Sequence, residues 1–223
     1  MSADQAPLHY LQEGRVVGIE ADNALAVGKI LGRDVELVVL PRAALVAAVK
    51  NAEVDVLMSG LNITEALSAE LSFIDAYLQV GQMAIMHRDK AAHFVQPWAV
   101  FREGIRVGVE PMSAGAAFAA SELSDAKVSF FDEPELAFSA LREGKIDLFV
   151  HDAATSWLLA NDLSYDDLIS QYAPLTEERL AWAVRQDNAA LARDLNRALS
   201  LMRRNGTLDY IFKRWIPVQI VAR

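Results

Sequence analysis

The residues of this chain best suited to chemistry stand where apolar runs stop. His151 and Asp152 follow the run 146–150, and Asp152 precedes Ala153-Ala154-Thr155, so its carboxylate can cap a helix, hold a ligand, or do both. His151 is either a ligand contact or a satisfied core histidine. Residues 54–58 run into Ser59-Gly60, after which Asn62-Ile63-Thr64 open an Ala/Leu-rich helix. A strand that ends in Gly and leads into a helix start gathers unpaired backbone N–H groups and a positive dipole end at one point. Such a point suits a polar or anionic ligand. Gly60, Asn62 and Thr64 are therefore candidate ligand contacts, with plain capping as the competing explanation. Ser113 opens another helix in the same manner, and Tyr10 offers an aromatic wall or a cover for a sheet edge.

Other chemistries find little support. The four histidines, at 9, 87, 93 and 151, lack the short spacing of metal ligands, and there is no cysteine to serve as nucleophile, thiolate ligand or disulfide partner. No Gly-rich phosphate loop occurs. Asp55, Asp75 and Asp147 sit at turns and strand starts, where capping explains them. Trp98, Trp157, Trp182 and Trp215 read as packing residues rather than as a cage for a cation.

These residues need a scaffold, and the composition supplies one. The chain has 223 residues, 53% of them hydrophobic, enough for one large domain or two small lobes. A net charge of −9 argues against nucleic acid or an anionic membrane as partner, since both need clustered Lys and Arg. No apolar run approaches the roughly 18 residues of a membrane helix, and residues 1–7 are too short and polar for a signal peptide. An exported protein would have lost its signal from this sequence.

The order of elements is that of an α/β protein. A helix at 22–31 closes at Gly32. Residues 35–40 form a continuous apolar run, expected as a strand buried on both faces. Helix 41–50, strand 54–58 and helix 64–71 follow, with a loop at 73–77 and a strand at 81–86. Residues 105–150 repeat the scheme: strand 105–109, helix 113–123, strand 127–131, helix 133–142, strand 146–150. The stretches Asn51-Ala52-Glu53-Val54-Asp55-Val56-Leu57-Met58 and Glu143-Gly144-Lys145-Ile146-Asp147-Leu148-Phe149-Val150 are one unit written twice. Two such halves imply two lobes with ligand-accessible helix starts. A strand at 180–185, a helix with Leu191, Leu195, Leu199 and Met202 on one face, and a short helix 208–215 stopping before Pro217 complete the chain. Lobe one is expected at 1–86 plus 186–223 and lobe two at 87–185, with hinge crossings near 82–88 and 180–186.

In order and at normal spacing, the chain carries Gly18-Ile19-Glu20-Ala21-Asp22, Asp55 to Gly60 with Asn62-Ile63-Thr64, and Phe73-Ile74-Asp75-Ala76-Tyr77. Gly144-Lys145-Ile146-Asp147, His151-Asp152, Trp182-Ala183-Val184-Arg185, Asn205-Gly206-Thr207 and Arg214-Trp215 follow. This set resembles the type 2 periplasmic solute-binding proteins, in particular the polar amino-acid-binding type that serves ABC transporters. The resemblance implies a two-lobed fold, each lobe a doubly wound sheet flanked by helices. It also implies a periplasmic, monomeric, non-enzymatic protein without cofactor or metal, which closes on a small polar ligand and hands it to a transporter permease. Family members open with a strand that has no counterpart here.

The resemblance also locates a ligand shell. An Arg after the first-lobe Gly holds the α-carboxylate in that family; the position reads Leu67 here. A Lys used by some members falls at Glu110, while the Asp that holds the α-amino group is kept as Asp152. A buried carboxylate without its guanidinium loses a bidentate pair and costs several kcal/mol, order of magnitude only. An amine, another cation or a neutral polar molecule is thus expected in preference to an ordinary α-amino acid. Alternatives are a cyclohexadienyl-dehydratase-like enzyme on the same scaffold, with Glu110 or His151 as acid, or the sensing domain of a receptor.

Overall fold

A computed structural model describes residues 1–94, 96–159, 162–171 and 173–216. In chain order its strands and α-helices are β1 (Asp4–Gln5), β2 (His9–Gln12), β3 (Arg15–Val17), α1 (Ile19–Leu31), α2 (Leu45–Lys50), β4 (Val56–Leu57), α3 (Glu65–Ser68), β5 (Leu71–Phe73) and β6 (Leu78–Val80). They continue with β7 (Gln82–His87), β8 (Arg106–Val109), α4 (Ala114–Glu122), β9 (Lys127–Phe130), α5 (Pro134–Arg142), β10 (Leu148–Asp152), α6 (Ala153–Leu159) and β11 (Leu168–Ser170). The last are β12 (Glu178–Leu180), β13 (Ala183–Arg185), α7 (Ala189–Arg204) and α8 (Thr207–Trp215). Among the described residues no helix is long and apolar enough to cross a membrane.

The described chain divides into two compact units: Met1–Gln79 with 178–216, and Val80–Glu177. The crossings lie earlier than the expected 82–88 and 180–186. The first falls within β6 and the second just ahead of β12, strands that pair as a two-stranded sheet, and the whole of β7 belongs to the second unit.

The second unit is built on a five-stranded sheet ordered β11-β7-β10-β8-β9. Its β10-β8-β9 part is parallel, and β7 and β11 add antiparallel. Side chains alternate between faces with period two. Ala84, Met86, Val107, Val109, Leu148 and Val150 pack with Phe118 and Ala119 of α4, while Ile85 and Phe149 pack with Phe138 and Leu141 of α5. With both faces covered, β10 reads as an unbroken apolar run, as the sequence suggests. Asp147, expected to cap a turn, instead receives Arg106 through Nε at 3.0 Å and Nη2 at 2.6 Å, and Lys90 Nζ at 2.5 Å. Burial alone would raise its carboxyl, but these cations outweigh it and hold Asp147 well below the usual range.

The first unit holds the three-stranded antiparallel sheet β4-β13-β5 and a separate β1-β2-β3 meander that the sequence reading missed. Leu45 and Val49 of α2 cover one face of the former, with Leu57, Leu71 and Ala183. Helix α7 buries Leu191, Leu195, Leu199 and Met202, the stripe expected from their spacing. Three expectations are corrected here. The helix at 64–71 is a single turn, because residues 71–73 enter a ladder with β13, and tertiary pairing overrides helix propensity. The strand at 180–185 is two short strands separated by Ala181 and Trp182. Residues 35–40 join no ladder, and Val35 and Val39 are exposed. Pro217 lies outside the described residues.

Candidate functional site

The second unit brings four expected residues together. Strand β8 ends at Val109 and β10 runs two residues past its apolar core, which places Glu110, His151 and Asp152 at neighbouring carboxyl ends of parallel strands. Because successive residues alternate, His151 emerges on the face of Phe149, its ring centroid 5.2 Å from the phenyl ring. Its Nε2 lies 2.8 Å from Glu110 Oε2 and its Nδ1 lies 2.9 Å from Asp152 Oδ2. The imidazole is 10% exposed, Glu110 30% and Asp152 33%, so the ring is enclosed while the carboxylates reach solvent.

Electrostatics fixes the character of this cluster. Burial alone would lower the His151 pKa, but hydrogen bonds and charge from Asp152 and Glu110 outweigh it, so the ring is protonated more readily than an ordinary histidine. Burial would raise Asp152; its carboxyl is held below the ordinary value by His151 and by the N–H groups of Thr155 and Ala154. Asp152 Oδ1 accepts from Thr155 N at 3.1 Å, so it is also the cap foreseen for it. Among the described residues neither Glu110 nor Asp152 pairs with Lys or Arg. Two carboxylates share this one imidazole and reach solvent, so the cluster presents acceptors to water.

Helix α4 completes the arrangement. Ser113 Oγ donates to Glu110 O at 2.8 Å and accepts from Ala116 N at 3.0 Å, tying the helix start to the end of β8. The next turn depends on Gly115. A Cβ there would stand 2.6 Å from Val150 O and 3.2 Å from Gln82 Oε1, so only glycine lets α4 come this close to β10.

The first unit treats its expected residues differently. Gly60 N donates to Glu20 Oε1 at 2.6 Å, Asn62 Oδ1 accepts from Arg179 N at 3.1 Å, and Thr64 Oγ1 accepts from Leu67 N at 3.2 Å. Each polar group picked out of the turn thus has a protein partner. Leu67 lies in the single turn of α3, half-buried. Tyr10 does not join the turn: His9 points toward Ser59, so Tyr10 takes the opposite face of β2 and meets the Trp215 ring edge-on at 6.0 Å. The turn is fixed by Glu20, fully buried, which also accepts from Tyr77 Oη at 2.9 Å and Trp182 Nε1 at 3.0 Å. Burial raises the Glu20 pKa despite these donors.

Sequence reading passed over two features beside Gly60. Ser2, His9 and Ser59 form a buried polar cluster, with His9 Nε2 3.3 Å from Ser59 Oγ. Gln5 Oε1 is buried without a hydrogen-bond partner among the described residues and lies next to Gly60. Neither stands in a sequence pattern that marks it, because β1 and β2 are too short for periodicity to show. Among the described residues no cluster of His, Asp and Glu is arranged to hold a metal ion.

A two-lobed mixed α/β chain with ligand-type side chains at strand ends defines a type 2 periplasmic-binding-protein fold. The chain belongs to the bacterial extracellular solute-binding proteins, family 3, whose profile matches residues 1–218. It is 26% identical over 206 residues to the ABC transporter glutamine-binding protein GlnH of Bacillus subtilis, covering 91% of this chain and 74% of that protein. It is 27% identical over 229 residues to ABC transporter arginine-binding protein 1 of Escherichia coli, covering 97% and 89%. Among solved structures it resembles an ancestral cationic amino acid solute-binding protein at 26% identity, with a TM-score of 0.83 and coverage of 96% and 93%.

Proposed function

We propose that this protein is an extracytoplasmic solute-binding protein that closes on a small cation-bearing solute, holds its amine at Asp152, and delivers it to an ABC transporter permease. The observation that carries this reading is the convergence of Glu110, His151 and Asp152 with no Lys or Arg partner among the described residues. A ligand ammonium brought there replaces water with charge-assisted hydrogen bonds. Relatives named for arginine and histidine support a cationic ligand. Leu67, together with a turn whose polar groups are already engaged, argues that an α-carboxylate contributes little to affinity.

A thermal-shift panel of amines, polyamines, amino acids and organic acids tests this directly. Amines and other cations should raise Tm, and Asp152→Asn should abolish the shift. A large shift with glutamine or an acidic amino acid, and none with cations, would refute the reading. Leu67→Arg should bring stabilisation by ordinary α-amino acids. A second reading rests on the 2.8 Å pair of His151 and Glu110, which could donate a proton in a dehydratase on the same scaffold. Measurable consumption of prephenate, lost in Glu110→Gln, would favour it.

A further inference from the structure

Strand β9 ends the five-stranded sheet of the second unit, and among the described residues it pairs only with β8. Lys127 N donates to Ile105 O at 2.7 Å and Phe131 N donates to Val109 O at 2.9 Å. Along a strand the N–H and C=O groups of successive residues point to opposite sides. Residues 127, 129 and 131 therefore face β8, and Val128 and Phe130 turn their backbone groups to the outer edge. Such an edge is a template for another strand, which proteins blunt with charge, proline, a bulge or a covering helix. Strand β9 has one Lys at its first position and none of the others: its ladder with β8 is unbroken, and all four of its residues are exposed.

The side chains show which strand fits this edge. On the α5 face, the Phe131 ring stands over Gly108 and closes the core with Ile146. On the α4 face, Val107 and Val109 are buried with Phe118 and Ala119, yet Val128 and Phe130, beside them in the ladder, are 36% and 64% exposed. The apolar surface of the sheet thus runs one strand further than its helix covers. Opposite charges stand at the two ends of the strand, Lys127 at its start and Asp132 and Glu133 beyond its end, and none of the three has an ion-pair partner among the described residues.

We propose that this edge pairs antiparallel with β9 of a second copy, making a two-fold dimer whose sheet continues across the interface. Antiparallel pairing sets Lys127 of each copy beside the acidic end of the other, whereas parallel pairing would set like charges together. With the pairs kept inside the extended stretch 127–131, Ser129 lies on the two-fold axis and Val128 stands opposite Phe130. Their outward N–H and C=O groups supply the ladder. Lys127 is then diagonal to Glu133, within reach of a long side chain. Because both copies use the same patch, the contact closes on itself and yields a dimer instead of a fibre. This departs from the monomer that the sequence resemblance implies.

Analytical ultracentrifugation of the 223-residue chain tests the pairing. A contact made by one short strand is weak, so a species of twice the 24.5 kDa chain mass should grow in over roughly 10–500 µM. Phe130→Lys should leave only monomer, with Tm unchanged at low concentration because Phe130 is exposed in the single chain. Lys127→Glu should weaken association about tenfold, and adding Glu133→Lys to it should restore the dimer. Lys213→Glu, which changes the net charge equally in the first unit, should have no such effect. Amide exchange at Val128 and Phe130 should slow as concentration rises. A dimer that Phe130→Lys leaves intact would overturn the proposal. So would a monomer at every concentration, which leaves the edge to a strand of another protein.

Discussion

The turn at Gly60 and the strand ends at Glu110 and Asp152 come from the two halves of one internal repeat, yet they do opposite things with their polar groups. In the first, donors and acceptors are consumed inside the unit: Gly60 by Glu20, Asn62 by Arg179, Thr64 by its own helix. In the second, two carboxylates share one imidazole and keep capacity for another donor. The lesson is that a strand–Gly–helix pattern predicts where backbone groups gather but not whether they remain available. Availability is decided by residues far away in sequence, here Glu20, forty positions before Gly60.

Substitutions put this contrast to the test. If the first turn is held structurally, Glu20→Ala should have the largest effect: it leaves Gly60 N, Tyr77 Oη and Trp182 Nε1 without their buried acceptor, a loss of about 3–5 kcal/mol by chemical denaturation. Gly115→Ala tests the second region, because the added Cβ collides with the Val150 carbonyl. A cost of about 1–3 kcal/mol is expected, with weakened ligand binding as α4 moves away.

The third effect has a pH signature. With its folded pKa raised, His151 contributes stability that is complete below about pH 6.5 and is lost as pH rises through the folded value. Asp152, lowered, contributes above its unfolded pKa and loses that contribution as pH falls through its folded value. The stability gap between the protein and His151→Asn should therefore be about 1 kcal/mol in mildly acidic solution and close as the pH becomes alkaline. Denaturation midpoints across pH 5–9 measure it. Smallest is Thr64→Ala, about 0.5–1 kcal/mol, since it removes one cap from a one-turn helix; it should leave ligand-induced shifts intact.

Much of the second unit was legible in the sequence. Strands 105–109, 127–131 and 146–150 and the helices between them carry long apolar runs with clear stops, and buried parallel strands have no solvent face to dilute that signal. His151 and Asp152 were visible because they interrupt such a run. The first unit was read less well. Residues 35–40 look like a buried strand because their composition is that of one; whether they pair depends on neighbours that composition does not name. The one-turn α3 has good helix formers but lies against β13, and pairing took residues 71–73. Glu20 stood in the Gly18–Asp22 motif with no sign of its burial and is the most enclosed carboxylate of its unit, a role set by Tyr77 and Trp182 arriving from distant segments. Asp147 looked like a cap and is an ion pair, because its partners Lys90 and Arg106 are over forty residues away.

The Glu20 network also gives the molecule a built-in optical label. Trp182 has no solvent exposure, stacks on Tyr77 at 5.5 Å and points its indole N–H at a carboxylate, whereas Trp98 of the second unit is 68% exposed. A soluble quencher such as acrylamide reaches the latter and not the former. Fluorescence collected with and without quencher therefore separates the enclosed tryptophans, Trp182 of the first unit and Trp157 of the second, from the exposed Trp98, without any dye or engineered residue.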